Sequence, residues 1–196
     1  MPTHSLPLFP LQSVLVPGAC LQLRIFEPRY LDLVRSCTRD DSGFGVCLIL
    51  EGREAGEPAL PAAIGTEARI VDFTTLPDGL LGITAKAGRR FRVERTRARD
   101  NGLVLADVAW LQEPAPVRIA VEHDLLAVLL RRMIEHIGGE HARVDLSMFE
   151  DAAWVSWRLA ELLPMTPADR QLLLQEDDPE LRLQRLLGLV AALQPE

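Results

Sequence analysis

The apolar residues of this chain change their spacing near residue 115, and that change limits the folds that it can adopt. Before this point, short apolar segments alternate with turns, at 44–50, 68–73, 80–85, 90–94 and 103–110. Regularly spaced strands of this kind are typical of a small β-barrel or sandwich. After the proline-containing segment 113–116, which is predicted to be a rigid linker, the spacing becomes helical. The sequence therefore predicts an α+β chain with its strands first and its helices last.

The helical part contains four predicted helices that should pack as a bundle. The first carries one apolar stripe that ends at Gly138-Gly139, a common helix stop. Thr166-Pro167 and Asp178-Pro179 each combine a capping residue with a proline suited to a first helical turn. The stripe of the first helix is Leu125, Leu126, Leu129, Met133, Ile134 and Ile137, and the second helix is marked by Trp154, Trp157, Leu159 and Leu162.

The segment 6–30 packs several structural signals into a short length. Residues 14–16 are an apolar, β-branched run that stops at Pro17-Gly18, so we expect a strand followed by a turn. Residues 21–25 then alternate apolar and polar side chains, which is the period of a half-buried strand. Pro28 suits the first position of a helix, and Glu27 would lie near the positive end of its dipole. The predicted order is strand, turn, strand and helix.

Four motifs in this order resemble the Lon protease N-terminal (LON substrate-binding) domain family. They are segment 6–30, Ile64-Gly65-Thr66-Glu67-Ala68-Arg69-Ile70, Leu76-Pro77-Asp78-Gly79 and Gly88-Arg89-Arg90-Phe91-Arg92-Val93. The resemblance implies a PUA-like β pseudo-barrel over residues 1–115 and an α-helical bundle over 116–196. It also implies a module that binds unfolded or peptide-like polypeptides. Since 196 residues leave no room for an ATPase or a peptidase, we expect a stand-alone relative.

Catalytic motifs are missing from the sequence. Lys86 is the single lysine, and its neighbours Ala85 and Ala87-Gly88 form no Walker A loop and no Ser-Lys dyad. No Gly-x-Ser-x-Gly motif occurs either. The histidines, among them His123, His136 and His141, lack the spacing of a helical zinc site and are interpreted as surface or capping residues. We therefore predict no catalytic residues, no metal, no cofactor and no enzyme activity.

Two other functions remain open from the sequence. Six arginines crowd the segment 89–99, and PUA-like barrels resemble RNA-recognition modules, so RNA binding is one alternative. A net charge of −7 makes a nucleic-acid partner the weaker hypothesis. The second alternative is a small-molecule sensor or an enzyme that uses a pocket between barrel and bundle.

Candidate peptide-binding surface residues are Phe26, Tyr30, Phe73 and Arg90, although a structural role is the favoured interpretation of each. The expected partners are unfolded or peptide-like protein segments, with a separate protease or chaperone as a further candidate. Cys20, Cys37 and Cys47 are unpatterned and have apolar neighbours, so we expect buried thiols in a reducing compartment. With no signal peptide and no long apolar run, the predicted location is the cytoplasm and not a membrane.

Overall fold

The computed structural model describes residues 4–52, 54, 60–138 and 144–192. Its chain divides into two compact units, Met1–Gln112 and Glu113–Glu196. Among the described residues, the first unit contains the helix α1 (Pro28–Arg39) and the strands β1 (His4–Leu11), β2 (Cys20–Ile25), β3 (Phe44–Glu51), β4 (Leu60–Pro61), β5 (Ile64–Thr75), β6 (Leu81–Ala98) and β7 (Val104–Trp110).

Five of these strands close into a ring. Antiparallel pairing runs from β1 through β7, β6 and β5 to β3, and a parallel pairing of β1 with β3 completes the circle. The first half of β1 pairs with β7, with His4 opposite Val108, and the second half pairs with β3, with Leu8 opposite Gly45. Strand β1 thus changes partner halfway along its length, and the sheet becomes a pseudo-barrel.

Apolar side chains fill the barrel. Leu8, Phe91, Ala106 and Val108 are fully buried, and they pack with Leu6, Cys47 and Val104 in one cluster. Strands β3 and β5 approach closely at Gly65, where an added Cβ would lie 2.5 Å from the Val46 carbonyl oxygen. Glycine is therefore required at this point of the barrel wall.

Three strand predictions differ from the structure. Residues 14–16 form no strand, because the first strand lies earlier, at His4–Leu11. Segments 80–85 and 90–94 were predicted as separate strands, yet both belong to the 18-residue strand β6. The predicted hairpin turn is present at Gly79, which has a φ of 81°, and the predicted helix start at Pro28 is confirmed.

Four α-helices lie in the described part of the second unit. They are α2 (Asp124–Ile137), α3 (Ala152–Leu162), α4 (Pro167–Gln175) and α5 (Pro179–Ala192), with short 3-10 helices at Val121–His123 and Leu146–Glu150. The caps are those that the sequence predicts. The Asp169 amide donates to the Thr166 hydroxyl at 3.1 Å, and the Glu180 amide donates to the Asp178 carboxylate at 2.9 Å.

Several burial predictions for the second unit and the thiols need correction. The buried stripe of α2 is Leu126, Leu130 and Ile134, because these residues recur every four positions on one face. Leu125 and Ile137 of the predicted stripe are exposed.

His123 and Cys20 also depart from expectation. His123 is buried and not a surface residue, with its Nδ1 2.8 Å from Glu180 Oε2. Cys20 is exposed on an edge strand, whereas Cys37 and Cys47 are buried as predicted. The predictions for Gly139, for His141 and for most of the loop 51–61 fall outside the described residues.

The overall prediction of fold class is confirmed. The chain is α+β, with a β pseudo-barrel followed in sequence by α-helices.

Candidate functional site

A three-stranded ribbon extends from the barrel at the β5–β6 hairpin. It consists of β2, the Leu81–Lys86 segment of β6 and the Arg69–Thr75 segment of β5. Strand β2 pairs with β6 alone, and β5 pairs with β3 only at Thr66–Ala68. Among the described residues, both outer edges of the ribbon are therefore without a neighbouring strand.

The register shows which backbone groups of β2 point away from the sheet. The Ala87 amide donates to the Ala19 carbonyl at 2.8 Å, so the backbone amides and carbonyls of odd-numbered β6 residues point towards β2. The Leu76 amide donates to the Leu80 carbonyl at 2.9 Å, so the backbone amides and carbonyls of even-numbered β6 residues point towards β5. Hydrogen-bonded and non-hydrogen-bonded pairs alternate along an antiparallel ladder. Gln22 lies opposite Thr84, whose backbone groups point towards β5, so the Gln22 amide and carbonyl point away from the sheet.

One face of the ribbon is apolar across all three strands. Leu23 lies opposite Ile83, and Ile83 lies opposite Phe73, so their side chains share a face. Ile83 in the middle is buried, Leu23 is half-buried, and Phe73 on the other edge is 49% exposed. Leu21, opposite Ala85, extends this face along β2. An extended polypeptide laid along β2 would meet free backbone groups and apolar side chains together.

Polar groups stabilise the ends of the ribbon. Arg24 of β2 forms an ion pair with Asp78 of the β5–β6 turn. The Asp78 carboxylate also accepts a hydrogen bond from the Leu80 amide at 3.1 Å. These contacts hold the turn against β2, although both side chains are well exposed and their net stabilisation is small.

Comparison with known proteins identifies the family. The sequence model of the ATP-dependent protease La (LON) substrate-binding domain matches residues 5–192. The chain belongs to this family. The suspected Lon relationship is thus confirmed over nearly the whole chain, and a Lon substrate-binding domain is a substrate-recognition module.

Solved structures and a curated relative agree with this assignment. A Lon N-terminal domain protein from Xanthomonas campestris is 49% identical, with a TM-score of 0.79 and coverage of 98% of this chain and 99% of that one. The N-terminal domain of a Mycobacterium avium complex Lon protease is 14% identical, covers 97% of this chain and 100% of that one, and shares the fold at a TM-score of 0.71.

The curated relative is a Lon protease from Cytophaga hutchinsonii. It is 27% identical over 195 residues that cover 94% of this chain. The present chain spans only 24% of that relative's length.

Two of the four predicted site residues of this Lon domain are buried. Tyr30 is 5% exposed because its ring stacks on Phe9, with 3.9 Å between ring centroids. Burial raises the pKa of the Tyr30 hydroxyl to about 12. Arg90 is 0% exposed and lies opposite Thr66, whose hydroxyl donates to the Leu15 carbonyl at 2.7 Å. Tyr30 and Arg90 are therefore not surface contacts, and their burial agrees with the favoured interpretation that both are structural.

The other two predicted site residues are exposed. Phe26, 57% exposed, directly follows β2, and Phe73 lies on β5 of the same ribbon. Their role in binding stays a prediction. Sequence reasoning missed Val71, which is 58% exposed on β5, and missed the edge position of β2. The alternating pattern signalled a half-buried strand but carried no information on its neighbours.

Metal binding and membrane insertion were two further possibilities for the described parts of the chain. Residues 4–52, 54, 60–138 and 144–192 contain no group of three or more histidine, cysteine, aspartate or glutamate side chains placed to hold a metal ion. Lys86 is exposed on β6, opposite Cys20 and Arg69. Nowhere in these ranges is a helix long and apolar enough to cross a membrane.

Proposed function

We propose that this chain binds unfolded or peptide-like polypeptide segments and does so without an ATPase or a protease of its own. The segment would add as a strand to the outer edge of β2 and place its side chains against the apolar face of the ribbon. A separate protease or chaperone would act on the bound polypeptide, and the cytoplasm is the proposed site of action.

The observation that carries this proposal is the unpaired edge of β2 beside exposed apolar side chains. An edge strand offers backbone donors and acceptors that bind any sequence, and neighbouring apolar groups add affinity for segments normally buried in a folded protein. Leu23 and Phe73 belong to the ribbon, and Phe26 directly follows β2. The side chains of both phenylalanines are about half exposed or more. Folded proteins do not present such segments, so the surface would select unfolded ones.

RNA binding is less well supported by the arginine-rich part of β6. Arg90 is fully buried, and Arg97 donates to Asp107 at 2.8 Å and to the Ser5 hydroxyl at 2.9 Å. The Arg89 guanidinium lies 3.9 Å from the centroid of the Trp110 ring and 3.6 Å from the Glu67 carboxylate. These arginines already have partners within the fold, which weakens their attraction for phosphate.

The test is a binding titration with a permanently unfolded, fluorescently labelled protein at two salt concentrations. We expect saturable binding that needs no ATP and changes little with salt. The double substitution Phe26→Ala and Phe73→Ala should weaken binding by about tenfold or more, because each removes a large apolar contact.

Leu181→Ala provides the matched control, since Leu181 is an exposed apolar residue on α5 in the other unit. This variant should bind as the wild-type protein does. Equal losses in both variants, or no binding of unfolded protein at all, would refute the proposal. Tight binding of RNA that collapses with added salt would favour the alternative.

A further inference from the structure

Helix α2 presents an apolar face that its own unit leaves uncovered. Leu125 is 74% exposed and Val128 is 48% exposed, whereas Leu126 and Leu130 on the opposite face are buried. Val121, just before the helix, is also largely exposed. Leucine and valine side chains grouped in this way mark an interaction surface more often than a solvated one.

Concave surfaces lie on both sides of Val128. A groove of about 440 Å³ separates α2 from α5 and is lined by Leu125, Val128 and Leu187 among others. A wider depression of about 990 Å³ lies between α2 and the 3-10 helix Leu146–Glu150, and Val128 lines it as well. A helix that packs on Val128 would therefore find a recess on either flank.

The charges on this face are arranged symmetrically about Val128. Asp124 precedes it by four residues and Arg132 follows it by four, so each lies about 6 Å away along the axis. Given a turn of 100° per residue, Asp124 and Arg132 each point about 40° away from Val128 around the helix, on opposite sides of it. Within the described residues, neither Asp124 nor Arg132 forms an ion pair.

We propose that two copies of this chain associate through α2, antiparallel, about a two-fold axis at Val128. In this arrangement Asp124 of one copy faces the basic end of the other α2, where Arg131 and Arg132 lie, and the reverse pair forms by symmetry. Val128 and Leu125 of both copies form the apolar centre. The face is thus complementary to itself in charge and in hydrophobicity, which is the requirement for an isologous interface.

The test is analytical ultracentrifugation of the full chain across the micromolar range. We expect a monomer–dimer equilibrium for the wild-type protein. Asp124→Arg and Arg132→Asp should each weaken the dimer by about 100-fold, because each substitution creates two like-charge contacts. Val128→Glu should abolish the dimer, since it places two carboxylates at the axis.

Mixing the two charge variants separates a specific interface from a folding defect. In a mixed pair, the arginine introduced in one copy would face the aspartate introduced in the other. The native Arg132 of the first copy would face the native Asp124 of the second, so dimers should reappear when D124R and R132D are combined.

Arg35→Asp, a charge reversal at an exposed position of α1, is the matched control and should leave the dimer intact. A wild-type monomer at every concentration, or dimers unaffected by either charge variant, would overturn the proposal.

Discussion

Arg29 connects three distant segments of the barrel unit. Its guanidinium lies 2.9 Å from the Glu27 carboxylate and donates to the carbonyl oxygens of Gly102 at 3.4 Å and Glu54 at 3.2 Å. It also lies 4.7 Å from the centroid of the Tyr30 ring. The side chain is nearly fully buried, and these contacts replace the hydration of its two terminal nitrogens, whereas its buried Nε has no hydrogen-bond partner among the described residues.

Replacement of Arg29 should strongly destabilise the protein. Arg29→Ala leaves the largely buried Glu27 carboxylate and two carbonyls without their donor, and we expect a loss of about 2–4 kcal/mol in the free energy of unfolding. Urea denaturation followed by circular dichroism measures this loss. Arg35→Ala, in the exposed i,i+3 pair with Asp32, should change stability by less than about 0.5 kcal/mol. Similar effects of the two substitutions would contradict the structural role of Arg29.

The buried thiol of Cys47 should make stability depend on alkaline pH. Burial raises the pKa of Cys47 from 9.0 to about 12. Between these values the unfolded chain loses a proton that the folded chain keeps, so stability is complete below pH 9 and falls as the pH rises towards 12. One such thiol contributes a slope of about 1.4 kcal/mol per pH unit.

Urea denaturation at several pH values from 8 upward measures this slope. Cys47→Ala removes the titrating group and should show a shallower fall in stability, whereas Cys20→Ala, at an exposed position, should keep the wild-type slope. Identical pH dependence in the Cys47 variant would show that this thiol does not control the alkaline loss of stability.

Single residues were the hardest feature to predict from the sequence. Tyr30 and Arg90 carry polar atoms and were candidates for the surface, but neighbours that are distant in sequence, Phe9 and Thr66, lie against them in the buried interior. Capping residues were easier, because Thr166 and Asp178 act on amides only two or three positions away. Local chemistry was predictable, and burial by distant segments was not.

At the scale of secondary structure, the open edge of β2 yields a specific test of strand addition. Gln22→Pro removes an amide that points away from β6, so the ladder within the protein keeps all its hydrogen bonds. A polypeptide that pairs with this edge loses a donor for one of its carbonyls, and we expect its affinity to fall by about five- to tenfold. The titration with unfolded protein measures this change.

Two further variants serve as controls for Gln22→Pro. Gln22→Thr changes the side chain and keeps the amide, so binding should persist. Leu23→Pro removes an amide that faces β6 and should instead destabilise the fold. Undiminished binding by the Gln22→Pro variant would mean that polypeptides do not add as a strand at β2.

The elements that the sequence failed to predict have a common cause in strand pairing. Pro7 and Pro10 argue against a strand, but β1 pairs with β7 at 4–7 and with β3 at 8–11, so each half of β1 has one unpaired side. The two predicted segments within β6 are one strand because β2, β5 and β7 pair with different parts of it. Helices were predicted better, since their caps and stops are local.

For the whole molecule, we propose that the two compact units are separate domains. The predicted boundary at 115/116 lies three residues beyond the division after Gln112. We expect residues 1–112 expressed alone to give a β-type circular dichroism spectrum and to bind unfolded protein. Residues 113–196 alone should be helical and should not bind it. A fragment 1–112 that remains unfolded would refute the proposal of independent domains, but it would not change the description of the full chain's fold.

The antiparallel pairing of β1 with β7, which the ring needs in order to close, also has a consequence for biosynthesis. Strand β1 (His4–Leu11) is synthesised well before its antiparallel neighbour Val104–Trp110, and His4 pairs with Val108. At about 5–20 residues translated per second, the nascent chain waits on the order of 5–20 s for that partner. During this interval Leu6 lacks the strand that carries its pairing partner Ala106, whereas Leu8 can already pair with Gly45 of β3. The ring can therefore shut only once Val104–Trp110 has left the ribosome.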